Sequence, residues 1–298
     1  MNPLQKKIPV RKIQAAKWNA ADYAANSAVQ QTWARELIAK LNLRGGEHIL
    51  DVGCGDGKVT AEIARHLPRG KAVGIDASPQ MIAFAKSTFP AKEFLNLHFR
   101  VMDARKIKFA GRFDCFFSNA ALHWVDDHEQ FLRGAASVLK PGGRLVVSCG
   151  GRGNAQDVFV ALRPEMRLKR WRDFFRTMPT PYFFYSPEDY EKWLPKSGFK
   201  INSIRLAPKD ATYAGADGFA AWLRTTWIPY VQRVPEKVGR ASSRSLSGRM
   251  PDPLINLREE FIAAVTRRYV AKHPPDADGS VRVRMVRLEI DAVKIASF

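Results

Sequence analysis

Between residues 48 and 148 short apolar runs alternate with longer segments whose apolar positions recur every three or four residues. The short runs are His48-Ile49-Leu50-Asp51-Val52, Ala72-Val73-Gly74-Ile75, residues 95–101, Phe113-Asp114-Cys115-Phe116-Phe117 and Arg144-Leu145-Val146-Val147-Ser148. Their length and their β-branched and aromatic content predict buried strands. The intervening segments, 58–66, 79–87 and from Asp126 or Asp127 to 139, predict helices. Ser78 can cap the second of these, with Pro79 at its first position. Upstream, Trp33, Leu37, Ile38 and Leu41 form one apolar face of a helix within 18–43, which Arg44-Gly45-Gly46-Glu47 ends. Lys140-Pro141-Gly142-Gly143 reads as a turn. Strands alternating with helices in this rhythm pair in parallel and give a doubly wound α/β sheet.

Beyond residue 150 the rhythm changes. Residues 152–176 read as helical, basic and aromatic, and Ser186-Pro187-Glu188-Asp189 starts another helix that Lys196-Ser197-Gly198 ends. Residues 201–206 alternate as a strand. Residues 216–230 and 253–272 read as helices, separated by a serine- and arginine-rich loop at 239–248. The alternating run 281–290 reads as a closing strand. The expected organisation is a flexible arm at 1–15 and a ligand-binding core with an N-terminal helical lid at 16–150. Cap elements over a second site follow at 151–280, and a last core strand at 281–298.

The composition, 46% hydrophobic and 26% charged over 298 residues, is that of a globular protein, and no apolar run reaches membrane-span length. No apolar core follows the basic residues of the N-terminus, which argues against a secretory signal. Three cysteines, Cys54, Cys115 and Cys149, lie in or beside predicted strands without metal-ligand spacing. They read as buried thiols of a protein of the reducing cytoplasm, and no metal is expected. The net charge of +19 raises the question of a polyanionic partner. It is spread along the chain, +9 over 1–151, +6 over 152–209 and +4 over 210–298, which favours solvated faces over one nucleic-acid patch.

Chemistry concentrates where predicted strands end. After Val52 comes Gly53-Cys54-Gly55-Asp56-Gly57, a turn whose glycines let backbone approach a ligand. Asp76, 25 residues after Asp51, closes the next strand and sits where an acid can hold a ribose diol. Asp103 and Asn119 follow the third and fourth strands. In open α/β sheets ligands bind outside these carboxyl ends. The glycines at 53, 55 and 57 depart from the dinucleotide fingerprint, which needs its third glycine where Lys58 stands.

From Leu50 to Gly57 the sequence resembles motif I of the class I S-adenosylmethionine-dependent methyltransferases. The likeness continues through Gly74-Ile75-Asp76-Ala77-Ser78-Pro79-Gln80-Met81, Asp103-Ala104, Ser118 to Val125 and Leu139 to Leu145. Trp18-Asn19 with Tyr23, Leu122-His123-Trp124 and Trp222-Leu223-Arg224-Thr225-Thr226 are similar to the trans-aconitate methyltransferase group, whose relatives include juvenile hormone acid methyltransferases. The resemblance implies a mostly parallel, seven-stranded, Rossmann-like sheet with a helical cap inserted in the C-terminal half. It also implies S-adenosylmethionine as cofactor and S-adenosylhomocysteine as product. Gly53, Cys54 and Gly55 would pass backbone beneath the cofactor, and Asp51 would brace that loop. Asp76, with Ala77, would take the ribose hydroxyls, Met81 would line the adenine, and Asp103, with Ala104, would accept from the adenine amine. Asn119 would meet the methionine part, and His123 and Trp124 would border the methyl group.

The expected acceptor is a small molecule, with carboxylate O-methylation preferred; amine and phenol acceptors are the alternatives. A carboxylate is ionised at neutral pH and needs only a donor or cation to hold one oxygen. Gln30, Trp124 and Arg224 are candidates for that role, with Tyr23 and Trp227 lining the acceptor. An amine or phenol would need a proton acceptor, for which His123 is the candidate. His123 as a hydrogen-bonded loop residue, and Trp222, Trp227 and Tyr230 as cap core, are the plainer readings. Ser118-Asn119-Ala120-Ala121 lacks the prolines that base-modifying relatives carry there, which argues against a nucleic-acid acceptor. No membrane partner is expected, and the chain is expected to be a monomer or weak homodimer.

Overall fold

The computed structural model describes residues 28–236 and 256–295. The arm at 1–15, Tyr23 and the loop at 239–248 lie outside these residues. Among the described residues the first helix, α1 (Ala28–Ala39), buries Ala34, Leu37 and Ile38 against the sheet. Strand β1 (His48–Val52) then enters the core, and after the glycine turn come α2 (Lys58–Arg65) and β2 (Lys71–Asp76). Next is α3 (Pro79–Thr88), where the Ser78 hydroxyl accepts from the Met81 amide as predicted. Strands β3 (Leu97–Val101) and β4 (Phe113–Asn119) lead to a short 3₁₀ turn at Leu122–Trp124. Asp127, rather than Asp126, caps α4 (His128–Val138) through the Gln130 amide.

Strand β5 (Leu139–Gly150) runs through the predicted turn. Leu139 pairs with Phe113 and Arg144 with Cys115, so residues 140–143 form a bulge, with Gly142 at φ +75°. After β5 come α5 (Gln156–Arg167), α6 (Arg172–Phe175), α7 (Pro187–Lys196) and β6 (Phe199–Pro208). The chain continues through β7 (Ala211–Tyr213), α8 (Gly215–Thr226), α9 (Ile228–Val231) and α10 (Leu257–Lys272). It ends with β8 (Val281–Val283) and β9 (Val286–Lys294).

The seven-stranded sheet has the order β3-β2-β1-β4-β5-β9-β6. Pairing is parallel from β3 to β5, and β9 is antiparallel to both neighbours. Alternate residues feed opposite cores. Ile49, Cys115 and Phe117 pack with α1, α2 and α3, whereas Leu50, Phe116 and Leu145 pack with α4 and α7. A third core lies in the C-terminal half and joins α5, α6, α8, α9 and α10 to β7 and β8 through Phe159, Trp171, Phe219, Trp222, Trp227 and Phe261. The run 281–290, expected as one strand, is broken at Arg284-Met285. Val281 and Val283 point into the cap core and pair with β7 in a separate two-stranded sheet, and only β9 joins the main sheet.

Candidate active site

The strand order reverses between β1 and β4, because the chain leaves β1 toward β2 and returns to the other side with β4. The crevice at their carboxyl ends is the expected ligand position of such a sheet. An open cleft of about 460 Å³ lies there, lined by Gln31, Asp51, Gly53, Cys54, Gly55, Asp56, Lys58, Val59, Asn119 and Ala120.

Local chemistry shapes the glycine loop. Gly53, Gly55 and Gly57 all have positive φ, 77°, 54° and 82°. A Cβ on Gly53 would stand 2.1 Å from that of Ala121, so the loops after β1 and β4 touch. The Gly53 and Cys54 amides donate to Ile75 O, which anchors the turn to β2. Asp51 is buried and accepts from the Thr60 hydroxyl at 2.6 Å, so it ties β1 to α2 as a brace. Burial first, opposed by the Thr60 hydrogen bond, and then the charge of Asp76 push its pKa up to about 7. Burial also pushes the Cys54 thiol up, so it is a neutral wall group.

Asp76 bridges two loops: Oδ2 accepts from the Gly55 amide at 3.1 Å and Oδ1 from the Ser78 amide at 2.8 Å. Burial raises its pKa against those two donors. Ala77 is exposed beside it and Met81 is buried in α3. Asp103 accepts from both the amide and the guanidinium of Arg105, whose Nη1 continues to Asp126 at 2.9 Å. The Arg105 hydrogen bond holds the Asp103 carboxyl below its ordinary value. Ala104 packs against the core on the α4 side of the sheet.

The second half of the site begins at the 3₁₀ turn. Ala120 takes φ 56° and its amide donates to Ser148 O. This sharp exit from β4 carries the chain into Leu122-His123-Trp124. His128 fixes the turn from below: Nε2 faces Leu122 O at 2.9 Å and Nδ1 faces Tyr190 Oη at 2.5 Å. Since a carbonyl only accepts, Nε2 carries the proton and Nδ1 accepts from the tyrosine. Burial lowers the His128 pKa to about 4, so this neutral tautomer persists.

His123 is likewise neutral. Burial, then the charge of Arg287 and that of His128, lower its pKa to about 3. Its Nδ1 accepts from the Gly150 amide at 3.4 Å, which makes Nε2–H the ring's donor. Aromatic rings surround it, with Trp124 at 5.6 Å, Phe184 at 6.0 Å and Tyr182 at 6.1 Å between centroids. Tyr182 also meets Trp124 at 4.8 Å and Trp227 at 5.6 Å, which joins the turn to the cap core.

The structure brings together most of the residues singled out from sequence, but not all. Trp227 is buried among Phe159, Tyr182, Trp222 and Tyr230, as the plainer reading had it. Arg224 projects from α8 to Glu259 on α10, with Nε to Oε1 at 2.9 Å and Nη2 to Oε2 at 2.5 Å, at the exposed side of the cap. Tyr23 lies outside the described residues, and so does the side chain of Gln30. Its neighbour Gln31 lines the cleft.

Three features were missed. The aromatic run 182–185, set between Pro181 and Pro187, supplies Tyr182 and Phe184; four consecutive aromatics flanked by prolines were a usable signal. Asp56 and Lys58 line the cleft, and their charges could have been weighed with the glycines. Arg287 is buried beneath Trp33, and nothing in the local sequence marks it apart from the other arginines of 282–287.

A cleft with approachable backbone on one wall, acids at 51 and 56 and a lysine at 58, with Asp76 bonded to the glycine loop at Gly55, fits a zwitterionic, ribose-bearing ligand. Comparison with known proteins agrees. Residues 49–143 match the family described as "Methyltransferase domain". The chain is 32% identical over 191 residues to an uncharacterized methyltransferase of Schizosaccharomyces pombe, a match covering 63% of this chain and 72% of that one. It is 28% identical over 291 residues to a trans-aconitate 2-methyltransferase of Rhodopseudomonas palustris, covering 94% of this chain and all (100%) of the relative. Among solved structures, the YcgJ protein of Bacillus subtilis superposes with a TM-score of 0.56 at 15% identity, over 90% of this chain and 100% of that one, a likeness of fold. The chain belongs to the class I S-adenosylmethionine-dependent methyltransferases.

Proposed function

We propose that this enzyme methylates a carboxylate oxygen of a small organic acid. The observation that carries the reading is the setting of His123: its Nδ1 is occupied by the Gly150 amide, which leaves Nε2–H as a donor to a carboxylate oxygen, and burial lowers its pKa to about 3, which disfavours it as the base an amine or phenol would need. The relatives named trans-aconitate 2-methyltransferase act on an acid by that name, which supports the same choice.

Bound S-adenosylmethionine supplies the electrophilic methyl group. Around it, Gly53, Cys54 and Gly55 offer backbone, Asp76 with Ala77 the ribose contact, and Met81, Asp103 and Ala104 the adenine surround. Asn119 meets the methionine part. Asp51 acts through the loop, by its bond to Thr60. In this reading the core at 16–150 holds the cofactor and the cap at 151–280 covers the acceptor. His123 and Trp124, backed by Tyr182 and Phe184, orient the acid and keep water out, which is the chief task in a displacement of this kind. The buried thiols suit a cytoplasmic enzyme.

Incubation with methyl-labelled cofactor and a panel of small carboxylic acids tests the assignment. A labelled ester that releases methanol in mild base is expected. Base-stable label in an amine or phenol, or label entering added RNA, overturns it.

A further inference from the structure

Among the described residues three buried side-chain polar atoms have no hydrogen-bond partner: Asp56 Oδ2, Trp222 Nε1 and Thr266 Oγ1. The last two belong to α8 and α10 of the cap. Asp56 Oδ2 is the one at the cleft, in the turn between Gly55 and Gly57. Asp56 is 5% exposed. Its other oxygen has a structural task, because Oδ1 accepts from the Lys58 amide at 3.2 Å and so satisfies a donor at the start of α2. Oδ2 faces Lys58 Nζ at 3.5 Å, an ion pair without a hydrogen bond. The helix start uses one oxygen only. The second is held out of water, which costs free energy until a donor reaches it.

The cleft identifies that donor. It runs from this turn to Asn119 and Ala120 at the end of β4, with Gln31 of α1 beside them. Asp51, the other acid of its wall, is committed to the Thr60 hydroxyl. Asp76, the ribose ligand of the reading above, is bonded to the Gly55 and Ser78 amides and stands outside this wall. The space is left to the amino-acid end of S-adenosylmethionine. Adenine and ribose carry no cation, and the sulfonium has no N–H. The α-ammonium has both a positive charge and three donors, as a lysine head group does. It supplies what Oδ2 lacks, a charge-assisted hydrogen bond where solvent screens poorly. The Lys58 side chain is 31% exposed and long enough to yield its place beside Oδ2.

We propose that Asp56 is the carboxylate that recognises the α-ammonium of the cofactor, so that the glycine turn reads the amino-acid end with a side chain as well as with backbone. The assignment concerns the cofactor and is independent of the choice of acceptor.

Calorimetric titration without turnover tests it. The ligands are S-adenosylhomocysteine, which has no sulfonium charge, and its deamino analogue, in which hydrogen replaces the α-ammonium. Methylthioadenosine, which lacks the whole amino-acid end, is the third. The wild type is expected to bind S-adenosylhomocysteine roughly ten- to hundredfold more tightly than the deamino analogue. Asp56→Asn keeps an oxygen for the Lys58 amide. It is expected to lose that preference, weakening for S-adenosylhomocysteine by the same factor and holding its affinity for the other two ligands. Equal weakening for all three ligands overturns the proposal and leaves Asp56 as a brace of the turn. Unchanged S-adenosylhomocysteine affinity in Asp56→Asn overturns it as well. On wild-type protein alone, equal binding of S-adenosylhomocysteine and its deamino analogue overturns it, so the test survives a variant that does not fold.

Discussion

Burial lowers the His123 pKa to about 3 and the Gly150 amide occupies its Nδ1, which limits what the ring can do. Because His123 does not titrate near neutrality, replacing it should leave the shape of the kcat profile for an acid acceptor unchanged between about pH 6 and pH 8, where an ordinary histidine would change charge. An inflection in that window that His123→Gln removes would restore the base reading. His123→Phe removes the Nε2–H donor and should lower kcat/KM roughly ten- to hundredfold, the worth of a hydrogen bond to a charged group; His123→Gln, which can donate, should recover part of it. Asp51 carries the second residue-scale prediction. Its folded pKa near 7 lies above the ordinary value of 3.8, so the folded state binds more protons. Its contribution is therefore full below about pH 4 and is lost as pH rises through about 7, a loss on the order of 4 kcal/mol. Asp51→Asn keeps an oxygen for the Thr60 hydroxyl and has no proton to lose. Melting temperatures of the ligand-free proteins measured from pH 4 upward should show the variant gaining on wild type; parallel curves would mean that the Asp51 pKa is ordinary.

At the scale of elements, the loops after β1 and β4 are one unit because Gly53 and Ala121 touch. Gly53→Ala puts two methyl groups 2.1 Å apart and also places a Cβ at φ 77°. Adding Ala121→Gly relieves the clash but leaves the backbone strain, roughly 1–2 kcal/mol. Calorimetry with S-adenosylhomocysteine should therefore show loss of binding in the single variant and partial recovery in the double. Full recovery, or none, would break the account of the contact. The strand–glycine–helix unit was readable in the sequence because apolar period, turn residues and caps agree there, as at Ser78 and Asp127. Asp76 and Asn119 were readable for the same reason: a site at strand ends is fixed by local signals. The partners of Arg224, Trp227 and Arg287 were not, because helix packing and antiparallel register decide them. Glu259 is 35 residues from Arg224, and Asn119 is 168 from Arg287. The break in 281–290 was hidden too. The alternation continues through Arg284-Met285, and only the cap core, which takes Val281 and Val283, turns one run into two strands.

The whole molecule combines a sheet with cores on both faces and a cap with a core of its own, joined where Trp124 and Tyr182 meet. Charge follows the same division. Arg268–Glu165 and Arg284–Asp157 tie α5 to α10 and to the link before β9, so part of the basic excess is spent on holding the cap together. A cap with a separate core should weaken without dragging the cofactor cleft with it. Trp227→Ala removes the ring that Phe159, Tyr182, Trp222 and Tyr230 pack against, a change that costs about 3–5 kcal/mol at a buried site. The melting temperature should fall, and the acceptor KM should rise because Tyr182 and Trp124 lose their backing. The affinity for S-adenosylhomocysteine should hold, since Gly53, Asp76 and Asn119 belong to the sheet. If calorimetry finds cofactor affinity and acceptor KM moving together, cap and core are a single cooperative unit. In that case the acceptor wall is not separable from the cofactor cleft.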